Sequence, residues 1–236
     1  MTVNRTATSI SYAAAGTSRF LALLFALLSL GVLASANAQS DAQEPLVIET
    51  DQTTLSKSEF DREFEIAARA AVMQQGVEPT EENLAPLQEF RPAFLDQLAN
   101  QLVLLEEAEE RGVAAPEEEV ESYVQQIREV HAGDEEFAQY LSDAGFSEEA
   151  ELRERVAEVL TVQLVVENLA TEVEPTDAEI DAWYDENQEQ LPAEADDAQM
   201  EQIREQVATQ LTQEGLDQLI QQLRADSNVQ VYPENL

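Results

Sequence analysis

The sequence contains no cysteine, and this single absence excludes several kinds of chemistry. Disulfide bonds, thiolate zinc sites, iron–sulfur clusters and thiol nucleophiles all require cysteine. Lipid attachment to an N-terminal cysteine is excluded for the same reason. No other sequence feature requires a cofactor or a bound metal ion, so we expect neither.

Basic residues are scarce: 12 lysines and arginines stand against 49 aspartates and glutamates, which gives a formal net charge of −37. Such a chain repels phosphate backbones and anionic lipid headgroups, so we expect no binding to nucleic acid or to a membrane surface. Hydrophobic residues still form 44% of the sequence, which is too many for a disordered polyanion. Only 7 glycines and 8 prolines are present, so the composition predicts a mainly α-helical fold.

A long apolar run near the N-terminus, residues 20–33 (FLALLFALLSLGVL), follows Arg5 and Arg19. Ala36 and Ala38 come after it with the A-x-A spacing of a signal-peptidase site. The run is shorter than the roughly 20 apolar residues that span a bilayer, which favours a cleaved signal peptide over a retained membrane anchor.

We therefore interpret residues 1–38 as a secretory signal peptide. Its removal would leave a mature chain that begins at Gln39, is periplasmic or secreted, and is not inserted in the membrane. All 49 acidic residues but only ten of the 12 basic ones follow residue 38, so the mature chain carries a formal charge of −39. The retained anchor is the alternative interpretation.

Short strands are predicted near both ends of the mature chain. Residues 46–50 and 53–55 place aliphatic and β-branched residues on either side of a polar pair, which indicates a hairpin. Residues 229–232 (VQVY) alternate between apolar and polar, which predicts another strand. If this strand pairs with the first, residues 39–236 form one domain that the segment 197–232 completes.

Local signals mark where helices begin and end. Ser56 with Glu59, and Thr176 with Glu179, have the spacing of capping boxes, in which a hydroxyl and a carboxylate satisfy first-turn amides. Ser147 is predicted to cap a further helix. Three glycines are predicted to end helices, namely Gly76, Gly112 and Gly145.

Two further helices are predicted in the second half of the chain. Residues 159–169 (VLTVQLVVENL) are apolar on nearly every face, which predicts a buried central helix. Residues 197–225 predict a long final helix that contains Gly215. A glycine in a helix interior costs roughly 1 kcal/mol relative to alanine, so Gly215 indicates a bend or a close approach of another segment.

Motifs for catalysis are absent, because the sequence has no P-loop, G-x-G-x-x-G, H-E-x-x-H, G-x-S-x-G or EF-hand loop. His131 is the only histidine and stands at a predicted helix end, where a capping or surface role is commoner than catalysis. The acidic runs 117–119 and 134–136 stand at predicted helix starts, where the helix dipole favours acidic residues. We predict no catalytic residue, and a helical lyase or hydrolase that uses carboxylates is the open alternative.

Four segments carry a resemblance to a known family. They are a hairpin followed by LSKSEFDREF, then FLDQLANQLVLLEEAEERGVAAPEEEVESYVQQI, then DEEFAQYLSDAGFSEEAELRERV, and finally EVEPTDAEIDAWYDENQEQL. From Leu46 to Tyr232 the chain resembles the N-terminal chaperone domain of extracytoplasmic folding factors of the SurA and PrsA type. The resemblance implies a helical cradle that binds unfolded exported polypeptides through apolar side chains and without ATP.

The sequence departs from this family at one place. In such proteins a parvulin-type prolyl isomerase domain commonly follows the element that matches WYDENQEQL, whereas here Leu191 and Pro192 lead almost directly to the helix near Met200. Parvulin sites carry a pair of histidines in that domain, and His131 lies upstream of it. The resemblance therefore implies a chaperone without isomerase activity.

A client-binding face is predicted on the one-sided apolar segment that begins near residue 120. Core packing is the alternative for each of its residues. A scaffold module of a cell-envelope complex, dedicated to one partner, is the alternative for the whole protein. The six residues of this predicted client face are Tyr123, Val130, Phe137, Tyr140, Leu141 and Phe146.

Overall fold

The computed structural model describes residues 44–131, 133–187 and 197–236. The predicted signal peptide and its cleavage residues, Ala36 and Ala38, lie outside the described residues. The segment around Leu191 and Pro192 also lies outside them.

A small antiparallel sheet joins the two ends of the described chain. It contains β1 (Leu46–Glu49), β2 (Thr54–Ser56) and β3 (Gln230–Val231) in the order β2-β1-β3. In the central strand, Ile48 pairs with Leu55 of β2 and with Val231 of β3. The predicted hairpin and the predicted pairing of the terminal strand are both confirmed.

Helices make up most of the remaining described chain, which confirms the mainly α fold. Within the described ranges, no helix is both long and apolar enough to cross a membrane. A 3-10 segment, Ala85–Phe90, separates the second and third helices. The helices are α1 (Lys57–Gln74), α2 (Glu81–Leu84), α3 (Arg91–Arg111), α4 (Glu117–Val130), α5 (Asp134–Ala144), α6 (Glu149–Glu172), α7 (Asp177–Asn187) and α8 (Asp197–Asp226).

Both predicted capping boxes are present. The amide of Ser56 donates to the carboxylate of Glu59, and the amide of Glu59 donates back to the Ser56 hydroxyl. Thr176 and Glu179 exchange the same pair of hydrogen bonds at the start of α7. These contacts satisfy amides that have no acceptor within the helix.

The predicted glycine stops are also present. Gly112 ends α3 with φ of 66°, and Gly145 ends α5 with φ of 89°. Gly76, with φ of 71°, follows the last turn of α1. These left-handed backbone angles are strained for residues with a Cβ, which explains the glycines.

The predicted cap at Ser147 is wrong. Glu148 occupies the N-cap of α6, and its side chain makes no capping hydrogen bond. The amide of Ser147 instead donates to the carboxylate of Glu151 over 2.7 Å. The helix therefore begins one residue later than a serine cap would place it, and a first-turn glutamate satisfies the exposed amide.

The predicted buried helix is the second half of α6. This helix contacts α3, α4 and α8, so it is central to the helical part of the fold. Its buried apolar residues in this half are Val159, Leu160, Val162, Val165 and Leu169.

Buried apolar side chains of the described residues form three clusters. The sheet cluster joins β1 and β2 to α1 and α3, and Val229, Val231 and Leu236 pack against it. The α5 cluster joins α4, α5 and the first half of α6 to Ile66 of α1. The α8 cluster joins the ends of α3 and α6 to α8. The helix α1 therefore contributes to two clusters and connects them.

Gly215 lies where α8 meets the segment that follows α6. A Cβ built on Gly215 would lie 2.9 Å from the Cβ of Val173, closer than two carbon atoms can pack. The close approach that the mid-helix glycine predicts is therefore present.

Candidate functional site

The structure buries most of the predicted client face. Phe137, Tyr140, Leu141 and Phe146 are each at most 8% exposed and belong to the α5 cluster. Tyr123 is half-buried against the same cluster, whereas Val130 is 73% exposed. In this conformation the surface that the six residues offer is limited to Val130 and part of Tyr123. Client binding at this face stays a prediction.

Packing between neighbouring helices explains this burial. The apolar stripe of α4 and the aromatic side of α5 cover each other and the start of α6. His131, at the C-cap of α4, stacks on Tyr140 with ring centroids 4.4 Å apart, and the Arg128 guanidinium lies 4.8 Å above the ring of Phe137. Burial also raises the pKa of Tyr140 to about 12, because the anion would lose its hydration.

An open cleft lies on another side of α1. Its volume is about 520 Å³, and it separates α1 from α2 and the 3-10 segment. Phe64 and Ala68 of α1 form its floor, and Leu84 and Ala85 form the opposite wall. Phe64 and Ala68 are only 5% and 6% exposed, so the apolar surface of the cleft comes mainly from half-buried Leu84 and exposed Ala85.

A second cleft continues along α1. It has a volume of about 280 Å³ and lies between α1 and the junction of α5 and α6, where Phe146 and Ser147 line it. Glu65 and Arg69 line both clefts. We call the two clefts together the α1 groove. Phe146 is thus the one residue of the predicted client face that also lines this groove.

Arginine side chains line the α1 groove. The Arg91 guanidinium lies 4.8 Å from the ring centroid of Phe60 and 5.1 Å from that of Phe64, and it pairs with Asp61. Arg69 pairs with Glu65 over 2.7 Å and donates to the backbone carbonyl of Asp143. Cation–π contacts and ion pairs fix these flat guanidinium groups at the rim of an apolar floor.

Asp61 is held ionised by its neighbours. Partial burial raises the pKa of its carboxyl, but hydrogen bonds from Arg91 and Lys57 lower it by more, so the pKa lies below the ordinary value. The Lys57 ammonium lies 3.0 Å from an Asp61 oxygen. Asp61 therefore keeps Arg91 in place at neutral pH.

A buried ionic cluster ties α1 to α6. Arg155, only 1% exposed, donates to the carboxylate of Glu63 over 2.6 Å, and its Nη1 atom lies 3.5 Å from Oε2 of Glu158. Desolvation raises the pKa of Glu158 to about 8; Arg155 opposes this shift, and Glu63 adds to it. Two carboxyl groups thus lie beside one buried guanidinium, and Glu158 is the one whose protonated form burial favours.

Carboxylates are abundant, but they do not assemble into a metal centre in the part of the chain that the structure describes. No group of three or more histidine, aspartate or glutamate side chains there is placed to hold a metal ion. The acidic runs 117–119 and 134–136 occupy the first turns of α4 and α5, as the sequence predicts.

Sequence reasoning did not find the α1 groove. The groove depends on α2 and the 3-10 segment, which follow Pro79 and are interrupted by Pro86. Prolines at this spacing are typical of a connection between helices. A signal was nevertheless present, because Leu84 and Leu87 are apolar residues three apart in a short exposed stretch, and both pack against the sheet cluster.

The described residues form a mainly α-helical fold, and the sequence is strongly acidic. Residues 9–166 match the family described as the SurA-like N-terminal domain. This match covers more than half of the chain, so the chain belongs to that family. It ends within α6, so α7, α8 and β3 lie beyond the matched residues. A comparison with curated proteins finds no match.

Family membership confirms the resemblance found in the sequence. The SurA-like N-terminal domain is the non-catalytic, chaperone part of its parent proteins, so this chain is a chaperone-type protein-interaction module.

Proposed function

We propose that this protein is an ATP-independent chaperone that holds unfolded exported polypeptides in the α1 groove. The observation that carries the proposal is an open cleft, with Phe64 and Ala68 at its floor and Leu84 and Ala85 in its wall, on a domain of this family. Unfolded polypeptides expose apolar side chains that a folded protein would bury, so such a floor is complementary to them.

Binding in this groove is expected to be weak and reversible. Full burial of one large apolar side chain contributes roughly 1.5 to 3 kcal/mol, and ordering of the client offsets part of it. A cleft of about 520 Å³ accommodates only a few side chains at once. Release therefore needs no ATP hydrolysis, because thermal dissociation from so small an apolar contact is fast.

The charge of the protein supports a holding role. The part of the chain after residue 38 carries 49 acidic and ten basic residues, so complexes of chaperone and client repel each other. Bound clients are thereby kept from meeting other bound clients, which is the step that leads to aggregation.

We further propose that residues 39–236 act as one domain outside the cytoplasm, after cleavage of the signal peptide at Ala38. The contact of β3 with β1, and the packing of α8 on α3 and α6, support a domain that segment 197–232 completes. We expect no prolyl isomerase activity, because nothing in the sequence between Leu191 and Met200 corresponds to a parvulin domain.

Only some residues of the predicted client face are proposed to contact a client in this conformation. Val130 and Tyr123, at the surface of α4, are proposed to extend the contact with a client, whereas Phe146 lines the groove but is only 6% exposed. Phe137, Tyr140 and Leu141 would meet a client only after α5 separated from α4, since the α5 cluster buries them.

A variant with a bulky side chain in the groove wall tests whether clients bind in the α1 groove. Ala85 is exposed at the groove wall, so Ala85→Trp fills the cleft without disturbing buried packing. The matched control is Ala182→Trp, at an exposed position of α7 away from the groove. Each variant is mixed with chemically unfolded proteins of unrelated sequence, and light scattering records their aggregation on dilution.

The proposal predicts that the wild-type chain and Ala182→Trp suppress aggregation of several unrelated clients, whereas Ala85→Trp suppresses it at least several-fold less. Equal protection by both variants would contradict a groove-based mechanism. Failure of the wild-type chain to protect any unrelated client would contradict the chaperone function and favour a scaffold dedicated to one partner.

A further inference from the structure

We propose that the α1 groove selects polypeptide segments in which an apolar side chain is flanked by aspartate or glutamate. This inference rests on the proposed function, because it names the class of segment that the groove holds. It is carried by the charges that line the groove and by how they are held.

The charged residues that line the α1 groove have no net charge, whereas the protein as a whole is strongly acidic. The charged lining of the groove consists of three arginines and three carboxylates, whereas the whole sequence has 49 acidic residues against 12 basic ones. An acidic segment therefore meets less repulsion at the groove than over the rest of the surface. The six residues are Arg62, Arg69, Arg91, Asp61, Glu65 and Glu81.

Arg91 is organised in advance to receive a carboxylate. Its side chain is 17% exposed and lies against the rings of Phe60 and Phe64, and its ion pair with Asp61 uses the Nη2 atom. A guanidinium has five N–H donors, and Arg91, which lines the cleft, uses Nη2 for Asp61, so we infer that its other donors can reach a bound carboxylate. Because the group is already fixed, binding of a carboxylate costs little side-chain entropy.

Arg69 lines both clefts, and a client carboxylate could replace its present ion-pair partner. It pairs with Glu65, whose side chain is 57% exposed. Arg69 already donates to Glu65 through Nε and Nη2 and to the Asp143 carbonyl through Nη1. Exchange of Glu65 for a client carboxylate therefore changes the free energy little, and the preference depends mainly on Arg91. Arg69 and Arg91 line the same cleft as Phe64 and Leu84. An apolar side chain on that floor therefore places flanking carboxylates beside both arginines.

The net charge of the whole protein favours basic segments over acidic ones. A surface with a formal charge near −39 attracts lysine-rich segments wherever they land. Without a selective groove, basic segments would bind best. A preference for acidic flanks is therefore a specific consequence of Arg69 and Arg91, and it separates binding in the groove from adsorption to the surface.

The experiment compares three labelled synthetic peptides by fluorescence anisotropy with the chain from Gln39 onwards. The peptides share one apolar core and carry flanking glutamates, glutamines or lysines. At about 0.15 M salt, where the Debye length is near 8 Å, we expect the glutamate peptide to bind about tenfold more tightly than the glutamine peptide. The difference is expected to shrink as salt rises.

Two variants test whether the groove arginines cause the preference for the glutamate peptide over the glutamine peptide. The double variant Arg69→Gln with Arg91→Gln is expected to bind the glutamate and glutamine peptides equally well. Arg153→Gln is the matched control, because Arg153 is 35% exposed and pairs with Glu117 and Glu121 on α4, away from the groove. Thermal melts recorded by circular dichroism establish that each variant is folded.

The outcomes separate the inference from the proposed function. If the lysine peptide binds most tightly to the unaltered chain, or if the glutamate preference survives in the folded double variant, the inference is wrong and the chaperone function stands. If no peptide binds, the proposed function itself fails. The affinities of the three peptides for the unaltered chain test the inference even if the double variant unfolds.

Discussion

Val231, near the end of the sequence, pairs with Ile48 in β1, at the start of the described chain. The amide of Tyr232 donates to the carbonyl of Val47 over 2.9 Å, and the side-chain amide of Asn235 donates to the carbonyl of Leu46 over 2.7 Å. The C-terminal segment therefore completes the sheet on which α1 and α3 pack.

Removal of residues 229–236 is expected to destabilise the whole protein. Each lost hydrogen bond is worth about 0.5 to 1.5 kcal/mol, and half-buried Val229, Val231 and Leu236 lose part of the roughly 1.5 to 3 kcal/mol that full burial provides. The sum is a large share of the 5 to 15 kcal/mol typical of a domain. Thermal melts should show a midpoint lower by about 10 °C or more.

Low salt should enlarge this loss, because repulsion among the surplus carboxylates is then less screened. A truncated chain that melts within a degree or two of the complete one, and protects clients equally well, would show that the terminal strand is an independent tail.

Local sequence signals predicted those features of the fold that depend on interactions within a few residues. The capping pairs at Ser56 and Thr176, and the left-handed glycines at Gly112 and Gly145, act within a few residues, so the sequence alone shows them. The terminal strands were predictable because two short edge strands each need a partner. The cap predicted at Ser147 is wrong because the helix begins one residue later, with Glu148 at its N-cap, and the Ser147 amide donates to Glu151.

The candidate site was less predictable, because it depends on contacts between distant segments. Periodicity showed that α4 and α5 each have an apolar side, but not that Phe137 and Tyr140 cover the stripe of α4. Arg155 stands between acidic residues in α6 and resembles any surface charge in sequence. Its burial follows only from the packing of α1, which brings Glu63 to it.

Gly215→Ala is expected to destabilise the protein despite the better helix propensity of alanine. Alanine gains roughly 1 kcal/mol in a helix interior, but its Cβ would lie 2.9 Å from the Cβ of Val173, and such overpacking typically costs about 1 to 3 kcal/mol. Urea denaturation of the variant should therefore give a lower free energy of unfolding.

The double variant Gly215→Ala with Val173→Gly provides the control for this prediction. Glycine at position 173 lacks the Cβ that the new methyl group would meet, so adding Gly215→Ala to Val173→Gly should be neutral or stabilising. If Gly215→Ala costs the same free energy in both backgrounds, contact with Val173 is not the cause.

Glu158 is expected to make stability depend on pH. Its pKa in the folded protein is raised to about 8 from 4.5, so between these values the folded state binds more protons than the unfolded state. The contribution of Glu158 to stability is therefore complete at low pH and falls as pH rises through this window. The slope is at most about 1.4 kcal/mol per pH unit.

Glu158→Gln should remove this component. The variant is expected to match the wild-type chain near pH 4 and to exceed its free energy of unfolding near pH 8, as measured by urea denaturation. Glu167→Gln is the control, because Glu167 is exposed on the same helix and lies nine residues from Glu158. A stability difference between Glu158→Gln and the wild-type chain that stays constant with pH would contradict the raised pKa.

Site-specific photocrosslinking tests most directly whether clients occupy the α1 groove. A photoreactive phenylalanine analogue is placed at Ala85 in the groove wall or at Ala182 on α7, and each chain is irradiated with an unfolded client. The account predicts strong crosslinks from position 85, few from position 182, and loss of the former when unlabelled client competes. Equal crosslinking at the two positions, or crosslinks only at position 182, would contradict binding in the groove.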